Sequence, residues 1–293
     1  MKLIQQSFEI LEQKDYSLVG IKKFIERCGR VCYKSENRIT DTSYEKFVNM
    51  LESRGHARPL EFGTVYLKIP YYNWESLRED LIIADKFNTT WLKWEPYKSS
   101  VFISTNYRCI KEWIADSDLN FTEGDFHKYI IETPNGWCYK RYTVHMILDR
   151  GVMDEFRTHV GLSHLAESTR YCNYSKDKFD NEVTFVIPNW VNTHCPNKEQ
   201  EGPSVSDMEW SAALLNAEAS YMNLLKMGWT PQQARDVLPL GVKSELISCG
   251  FEDAWTNFFM RRCAKDAHPM AREIATKVRD EFNELRNETK ESK

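Results

Sequence analysis

The chain has 293 residues, of which 42% are apolar and 28% are charged, and this composition excludes an intrinsically disordered protein. The 39 Lys and Arg residues nearly balance the 43 Asp and Glu residues, so a net charge of -4 gives no overall attraction to nucleic acid or to an anionic membrane. No apolar run approaches the roughly 20 residues of a membrane span, and the N-terminus lacks the apolar core of a signal peptide. We predict a cytoplasmic protein without a nucleic-acid or membrane partner.

The first third of the chain predicts two helices. Apolar residues recur at helical spacing from Ser17 to about Cys32. Thr42 and Glu45 fit a capping box that would begin a second helix, and Gly55 suits the end of that helix. Both helices have one apolar face, so we expect them to pack on a common core.

A strand and an irregular stretch follow. Residues 64–69 alternate between apolar and polar side chains, which predicts a strand that Pro70 ends. Residues 71–140 are the least regular part of the chain. Because no Gly/Ser-rich or Pro-rich linker marks their edges, we expect an elaboration on the main fold and not a separate domain.

The second half is predicted to be mostly helical. We expect helix from Tyr142 toward Val160, a short strand over Thr184–Ile187 and an amphipathic helix from Met208 that ends at Gly228. A further short helix would begin at Thr230, which has Pro and Gln at the following positions of a capping box. The last long helix carries the apolar residues Ile274, Val278, Phe282 and Leu285.

Several familiar sites are missing from the sequence. It has no Gly-x-Gly-x-x-Gly turn, no P-loop and no Gly-x-Ser-x-Gly elbow. The eight cysteines form no Cys-x-x-Cys pair and no zinc-type pattern with the histidines, so we predict free thiols and no metal site, with Cys28 and Cys32 in the core. Any bound phosphate must therefore be held by Arg, Ser or backbone amides.

Residues 155–179 stand apart because polar and aromatic side chains follow one another with few apolar residues between them. The side chains concerned are those of Arg157, His159, Ser163, His164, Glu167, Ser168, Arg170, Tyr171, Tyr174 and Ser175. Arg and Ser suit phosphate, and Tyr and His suit stacking on a ring. The segment is therefore either a polar surface loop or a site for an anionic, planar ligand.

The run HLAESTRYCNYS resembles the signature of the flavin-dependent thymidylate synthases, in which an Arg-His-Arg triplet precedes Ser-x-x-x-x-Ser-x-Arg-Tyr. Other blocks resemble this family in the same order along the chain: GHARPLEF, QARDVLP and FFMRR. The positions in register are His56, Pro59, Glu61, Ser163, Ser168, Arg170, Tyr171, Arg235 and Arg262. The resemblance extends in patches over residues 17–285 and is weakest over 71–140.

The resemblance implies a fold and an activity. The fold would be α+β, one catalytic domain over residues 1–293 with an antiparallel sheet, packed helices, an insertion after the first long strand (71–140) and a frayed tail (287–293). The enzyme would methylate dUMP to dTMP at C5, with methylenetetrahydrofolate giving the carbon and FAD reduced by NADPH giving the hydride. No cysteine nucleophile would take part. Family members resemble one another in being homotetramers whose sites are built from several subunits.

The resemblance also implies residue roles. Arg170 and Arg235 would hold the nucleotide phosphate, and Ser168 and Tyr171 would contact the nucleotide. Arg262 would lie against the uracil and stabilise negative charge on its carbonyl oxygens, with Ser168 as its companion in the catalytic set. The flavin pocket would be lined by His56, Glu61, His159, Ser163 and Asn257.

The chain departs from the family pattern on the flavin side. Thr158 and Val160 replace the two arginines of the triplet, and Arg157 and Arg58 are possible substitutes. Phe62 replaces a histidine, and Phe251 and Asp253 replace an asparagine and an arginine. Two alternatives follow: a relative that modifies C5 of another pyrimidine nucleotide, for example by hydroxymethylation, or a nucleotide-binding protein without catalysis.

Overall fold

The computed structural model describes residues 1–192 and 203–291, with side chains up to residue 285. Its strands are β1 (Lys2–Ile4), β2 (Ser7–Leu11), β3 (Thr64–Pro70), β4 (Lys93–Tyr97), β5 (Ser100–Asn106), β6 (Arg141–Asp149), β7 (Ser163–Ala166), β8 (Thr184–Val186) and β9 (Lys243–Phe251). Its α-helices are α1 (Leu18–Val31), α2 (Ser43–Ser53), α3 (Tyr71–Ile83), α4 (Tyr107–Ala115), α5 (Glu123–Tyr129), α6 (Arg150–Arg157), α7 (Val205–Lys226), α8 (Pro231–Ala234), α9 (Glu252–Arg262) and α10 (Pro269–Glu291). Short 3-10 helices span Glu36–Arg38, Arg58–Phe62, Asp177–Phe179 and Arg235–Val237.

The central element is a four-stranded antiparallel sheet in the order β2-β6-β9-β7. Side chains of successive strand residues point to opposite faces. Val144 and Leu246 pack on one face against α6, α9 and α10, whereas Ile247 and Cys249 pack on the other face against α1. The sheet is therefore covered on both faces, which places the junctions at the ends of its strands where a site can form.

Residues 71–140 build a second sheet together with the predicted strand. The order is β3-β5-β4, and all pairs are antiparallel. Trp74, Trp113 and Phe126 from this stretch share one apolar core with Ile25 of α1 and Leu51 of α2. The mixture of helices and antiparallel sheets agrees with the predicted α+β class.

A third apolar cluster closes the side of the molecule that carries α7. Strands β1 and β8 pair in parallel, and Val186 of β8 donates its N–H to the carbonyl of Gly241 beside β9 at 3.0 Å. Tyr174 and Tyr221 are buried here, with ring centroids 5.6 Å apart. This cluster holds the loop that follows β7 between the sheet and α7.

Several helix boundaries follow the sequence signals. The helix α1 begins after Ser17, whose side chain accepts from the N–H of Gly20. Gly55 and Gly228, which follow α2 and α7, have φ values of +66° and +93°, a region that glycine enters without strain. Thr230 and Gln233 form the predicted capping box of α8. The seven cysteines of the described part are free, and Cys28 lies in the core, whereas Cys195 and its neighbour His194 lie outside the described residues.

Two element predictions are wrong. The helix expected from Tyr142 is the strand β6 followed by the short helix α6, because alternate residues of this run are buried. A new N-cap at Asp149, which accepts from the N–H of Val152, then begins α6. The capping box at Thr42 is also absent, since the hydroxyl of Ser43 accepts the N–H of Thr40 instead. The sequence prediction also missed the strands β1, β2, β4, β5, β7 and β9.

Two observations on the described residues concern membrane-spanning helices and metal sites. Across 1–192 and 203–291, none of the helices is both long enough and apolar enough to cross a bilayer. The same ranges contain no group of three or more His, Cys, Asp or Glu side chains arranged to hold a metal ion.

Gly63 provides a test of how tightly the segment before β3 packs. A Cβ at this position would lie 2.7 Å from Cδ1 of Ile25 and 2.8 Å from Cγ2 of Ile21. We expect Gly63→Ala to lower the free energy of unfolding by about 1–3 kcal/mol, because overpacking displaces core side chains. The matched control is Gly124→Ala, where the nearest atom lies 3.5 Å away, and it should be neutral or stabilising by up to about 1 kcal/mol. Urea unfolding of both variants measures the difference, and equal midpoints would contradict the packing described.

Candidate functional site

A pocket of about 410 Å³ opens beside the end of β7, and five arginines line it. They are Arg58, Arg150, Arg157, Arg170 and Arg235. We call this the arginine pocket. His164, Glu167, Ser168 and Thr169 complete much of its wall. Such a concentration of guanidinium groups suits a phosphate-bearing ligand, because each group offers a planar fork of donors.

Backbone hydrogen bonds fix the start of the loop that follows β7. The N–H of Ser168 donates to the carbonyl of Cys32 at the end of α1 (3.2 Å). The carbonyl of Ser168 accepts from the N–H groups of Tyr171 and Cys172, which closes a turn. The Ser168 hydroxyl has no hydrogen bond to any residue that the structure describes, so it is available to a ligand.

Arg170 and Arg235 reach the arginine pocket from distant parts of the chain. Arg170 Nε donates to Oε1 of Gln232 on α8 (2.8 Å), and Arg235 Nη1 donates to Oγ1 of Thr169 (2.9 Å). Both acceptors are neutral, so the hydrogen bonds orient the guanidinium groups without cancelling their charge. The two arginines that resemblance assigned to one phosphate therefore lie on one pocket.

The other three arginines come from α6 and from the 3-10 helix Arg58–Phe62. Arg150 and Arg157 stand at the two ends of α6, and Asp154 between them pairs with both, at 3.3 and 3.1 Å. Arg150 also donates its backbone N–H to the carbonyl of Leu240. Arg58 is exposed and pairs with no carboxylate among the described residues. One carboxylate thus accompanies these three guanidinium groups.

A buried network of charges lies beneath the loop. Lys243 of β9 donates to Oε2 of Glu167 (2.8 Å) and also pairs with Glu245, which in turn accepts from Lys34 and His145 at 2.8 and 2.9 Å. Burial opposes the ionisation of Glu245, but His145, Lys243 and Lys34 hold its pKa well below its usual range. Burial likewise opposes the charge of Lys243, yet Glu167 and Glu245 raise its pKa. Each charge in this network keeps a partner, so the loop is anchored on β9.

The cysteines near the pocket are poor nucleophiles. Burial, followed by the charge of Glu167 and a hydrogen bond to it, raises the pKa of Cys172 far above its usual range. Burial also raises the pKa of Cys32 to about 12. Both thiols stay protonated near neutral pH, which suits a reaction that needs no thiolate.

His164 is buried and contributes a neutral ring to the pocket wall. Its Nδ1 lies 2.9 Å from the hydroxyl of Ser248, and its Nε2 lies 3.1 Å from the carbonyl of His159. Burial, with smaller contributions from the positive charges of Arg58 and Arg157, lowers the pKa of His164 to about 4. A neutral ring fits both contacts, with Nε2 donating and Nδ1 accepting.

Two residues assigned to the flavin by resemblance contact each other directly. Ser163 Oγ donates to Oε2 of Glu61 at 2.5 Å, and Arg108 Nη1 donates to Oε1 of Glu61 at 2.6 Å. Glu61 is only 2% exposed. Both carboxylate oxygens are therefore engaged, and the pair joins the 3-10 helix Arg58–Phe62 to β7 and to α4 of the elaboration.

The remaining residues assigned to the flavin are dispersed. His159 is buried, its Nε2 has no partner among the described residues, and its ring meets that of Phe258 edge-on at 5.3 Å. Burial, then the charge of Arg262, lowers the pKa of His159. His56 is exposed, and its Nδ1 lies 3.2 Å from the hydroxyl of Tyr33. The Tyr33 ring lies 6.1 Å from that of Tyr171, so His56 is linked to the signature loop.

Arg262 and Asn257 lie on α9 and do not line the arginine pocket of their own chain. Arg262 donates to Oε2 and to the carbonyl of Glu155 at 3.2 and 2.6 Å, while its Nε is buried without a partner. Asn257 accepts from Arg261 on the same helix. Within one chain, the structure brings together Ser168, Arg170 and Arg235 but not the third predicted arginine.

Sequence reasoning did not identify Arg150 or the anchoring Lys243. The run from Tyr142 is predicted as helix, and that prediction gives Arg150 an ordinary position on a helix surface, away from any site. The alternation of apolar residues over 142–148 was the available signal, because it predicts a strand that ends near Asp149. Arg150 then lies at a strand-to-helix junction. The pairing of Lys243 with Glu167 joins residues 76 positions apart and leaves no local signal.

The α+β fold carries a pocket lined by five arginines beside a Ser-x-Arg-Tyr loop, a set of donors that suits a phosphate-bearing ligand. The family model for thymidylate synthase complementing protein (Thy1) matches residues 125–286, and the chain belongs to this family. The match confirms the resemblance to the flavin-dependent thymidylate synthases. Membership supports a methyltransferase-type enzyme of nucleotide metabolism in a family that is generally flavin-dependent.

The comparison with solved structures finds similarity to the UMP/dUMP methylase PolB from Streptomyces cacaoi. With the structure bound with 5-Br UMP the TM-score is 0.44 at 13% identity, covering 97% of this chain and 92% of that chain. With the structure bound with 5-Br dUMP the TM-score is 0.42 at 14% identity, covering 97% and 93%. Similarities of this size carry no further argument. No curated protein matches the sequence.

The low pKa of His164 gives a prediction about stability and pH. The folded chain keeps this ring neutral down to about pH 4, whereas an unfolded chain binds the proton near pH 6.5. The unfolded state therefore binds more protons between these values, and stability is lost as the pH falls. At about 1.4 kcal/mol per pH unit, His164→Gln should remove up to about 3 kcal/mol of the wild-type loss between pH 7 and pH 4.

Urea unfolding at several pH values measures this difference. The matched control is His127→Gln, because His127 is exposed on α5 and pairs only with Glu123 of the same helix. It should lose stability in parallel with the wild type. A His164→Gln variant whose stability falls with pH as steeply as the wild type would contradict the buried, neutral state of His164.

Proposed function

We propose that this protein methylates dUMP to dTMP at C5 of the uracil, as a flavin-dependent thymidylate synthase. The observation that carries the proposal is that the signature loop of this family forms one wall of the arginine pocket, where Arg235 donates a hydrogen bond to Thr169 of the loop. The carbon comes from methylenetetrahydrofolate. FAD reduced by NADPH supplies the hydride when it is bound.

The nucleotide phosphate lies against Arg170 and Arg235. A phosphate carries close to two negative charges at neutral pH and accepts hydrogen bonds strongly. The present partners of these arginines, Gln232 and Thr169, are neutral, so phosphate replaces weaker contacts without breaking an ion pair. Ser168 contacts the same nucleotide from the pocket wall, and its hydroxyl is free among the described residues. Tyr171 contacts the nucleotide from beside the pocket, where its ring is exposed but does not line the pocket wall.

Arg262 stabilises negative charge on the uracil carbonyl oxygens as C5 becomes nucleophilic. Because Arg262 does not line the arginine pocket of its own chain, this role requires Arg262 of another copy in a homotetramer. Its buried, unpartnered Nε supports an additional contact beyond Glu155. Asn257, one turn earlier on α9, reaches the same shared site by this arrangement.

The donor set also suits the flavin. His159 has a buried ring nitrogen without a partner in the described part of the chain, which is a ready hydrogen-bonding group for a flavin ring. His56 is exposed beside the Tyr33–Tyr171 pair, where an aromatic ligand can stack. Glu61 and Ser163 act here by holding the pocket wall, since each satisfies the other.

The product tests the function. Purified protein is incubated with dUMP, methylenetetrahydrofolate, FAD and NADPH, and the nucleotides are resolved by mass spectrometry, with UMP in a parallel reaction. We expect dTMP. A product heavier by one further oxygen would instead establish hydroxymethylation, and binding of dUMP without any product would establish the non-catalytic alternative.

Substitution of the phosphate arginines gives a second test. Arg170→Ala and Arg235→Ala should each raise the dissociation constant of dUMP about tenfold to a hundredfold, because a hydrogen bond between charged groups contributes about 1.5–3 kcal/mol. The matched control is Arg27→Ala, since Arg27 is exposed and pairs with Glu9 away from the pocket. Isothermal titration with dUMP measures the effect. Unchanged affinity in both pocket variants would place the phosphate elsewhere.

A further inference from the structure

A second cavity, of about 360 Å³, lies beside the place where the chain enters and leaves the elaboration. Strand β3 contributes Thr64 and Tyr66 to its wall, and the start of β6 contributes Arg141 and Tyr142. We call it the tyrosine pocket. Among the described residues, it shares no lining residue with the arginine pocket. Small-molecule sites usually have volumes of about 300–1,000 Å³, so this cavity is large enough for a ligand of its own.

Aromatic side chains form one wall of the tyrosine pocket. The rings of Tyr16 and Tyr66 are tilted against each other, with centroids 5.0 Å apart. Phe24 of α1 lines the same cavity, and both Phe24 and Tyr66 are buried. Such rings offer faces and edges to a further ring and remove its apolar surface from water. This wall therefore suits a planar, aromatic ligand.

Gln13 fixes the wall before a ligand arrives. Its Nε2 donates to the carbonyl of Thr64, and its Oε1 accepts from the N–H of Thr64, each at 2.9 Å. Gln13 is buried, and the two hydrogen bonds join the segment after β2 to the start of β3. Because this part of the wall is already ordered, binding costs less conformational freedom than it would on a mobile surface.

Arg141 brings a half-buried positive charge to the tyrosine pocket. Its Nη2 donates to the carbonyl of Glu61 at 2.9 Å and its Nη1 to the hydroxyl of Thr64 at 3.4 Å, and both acceptors are neutral. Its guanidinium carbon lies 5.7 Å from the ring centre of Phe251, and its Nε is buried without a partner among the described residues. Within the same residues it pairs with no carboxylate. Two of the five N–H donors of a guanidinium group are thus used, and a carboxylate of the ligand can take accessible ones.

The charges at the rim disfavour a second anionic group on the ligand. Glu12 and Glu281 line the cavity from exposed positions, and neither pairs with a cation in the part of the chain that the structure describes. Lys140 is the other cation of the lining and is exposed as well. A negative group near Glu12 or Glu281 is repelled, whereas one carboxylate at Arg141 meets a positive charge. The cavity therefore suits a monoanion better than a phosphate.

We propose that the tyrosine pocket is a second ligand site, which binds a small aromatic monocarboxylate. The carboxylate pairs with Arg141, and the ring packs against Tyr16, Tyr66 and Phe24. Binding is non-covalent and depends neither on the arginine pocket nor on the proposed function. Free aromatic acids and aromatic amino acids share this chemistry, and they differ in the ammonium group that an amino acid carries beside its carboxylate.

Phenylacetate is the first probe, and two partial mimics are its controls. 2-Phenylethanol keeps the ring without the charge, and acetate keeps the charge without the ring. Saturation-transfer difference NMR on the full chain detects weak binding, and a titration gives the dissociation constants. We expect phenylacetate to bind about tenfold or more tightly than either mimic, because only phenylacetate combines the charged hydrogen bond with burial of a ring.

Substitution of Arg141 tests the contact with the carboxylate. Arg141→Gln should weaken phenylacetate binding about tenfold or more and should change the binding of 2-phenylethanol by less than about twofold. The matched control is Arg27→Gln, because Arg27 is exposed and pairs with Glu9 away from the cavity, and it should change neither. Circular dichroism and the melting temperature verify that Arg141→Gln folds.

The rim provides a second variant that leaves the interior unchanged. 4-Carboxyphenylacetate carries a second carboxylate at the far end of the ring, so the wild type should bind it about threefold or more weakly than phenylacetate. Glu12→Gln/Glu281→Gln should remove this difference, because the repulsion is lost. Since both residues are exposed, this double variant tests the site even where Arg141→Gln fails to fold.

Phenylalanine distinguishes the two sources of the ligand. Tighter binding of phenylalanine than of phenylacetate assigns the site to an amino acid, and weaker binding assigns it to a free acid; either result supports the site.

Other results overturn the proposal. These are phenylacetate binding no tighter than that of 2-phenylethanol, an affinity that a folded Arg141→Gln leaves unchanged, a preference for phenylacetate over 4-carboxyphenylacetate that Glu12→Gln/Glu281→Gln leaves unchanged, and a signal that Arg170→Ala/Arg235→Ala abolishes, since the probe then lies in the arginine pocket. A protein that forms no dTMP but shows the expected dependence on Arg141 contradicts the proposed function alone.

Discussion

The site depends on one buried arrangement, the pairing of Glu167 with Lys243 under the loop that follows β7. A charge taken out of water is costly unless a partner of opposite sign replaces the lost solvation. Glu167 is 1% exposed and Lys243 is its partner, while Lys34 and His145 complete the set around Glu245. Because removal of Lys243 would leave the buried Glu167 carboxylate without its ion pair, the network restricts the loop to one position on β9.

That position decides what the arginines can do. Lys243 satisfies Glu167 from below, so this acidic side chain of the pocket wall does not draw the guanidinium groups onto itself. The hydrogen bonds from Arg170 to Gln232 and from Arg235 to Thr169 orient two of them toward the same space while leaving their charge available. The pocket is thus prepared for anions before a ligand arrives, and little reorganisation is required on binding.

Local signals in the sequence predicted the parts of this fold that depend on neighbouring residues. The start of α1 near Ser17, the helix ends at Gly55 and Gly228 and the capping box at Thr230 are each set within four residues, and the structure has all of them. The family motifs added the long-range statement that Arg170 and Arg235 belong to one site, and the structure places both on one pocket.

The rest could not be obtained in this way for physical reasons. The strand β6 alternates apolar and polar residues, but α6 follows it without a break and adds apolar residues at helical spacing, so the whole run from Tyr142 resembles one long helix. The partners of Glu167 and Glu61 come from β9 and α4, and such pairings are visible only once the chain has folded. Arg262, which the resemblance assigned to the same nucleotide, does not line the arginine pocket of its own chain.

The arginine pocket combines residues that lie inside and outside the part of the chain that the family model matches. The family match spans residues 125–286 and includes Arg157 and Arg170, whereas Arg58 lies before it. Thr158 and Val160 are uncharged at the end of α6, and Arg58 reaches the arginine pocket from the 3-10 helix that Ser163 contacts through Glu61. A side chain held by a rigid neighbouring helix loses less conformational freedom on binding than one on a free loop. The contact between Ser163 and Glu61 therefore acts on the pocket indirectly, because it holds in place the 3-10 helix from which Arg58 projects.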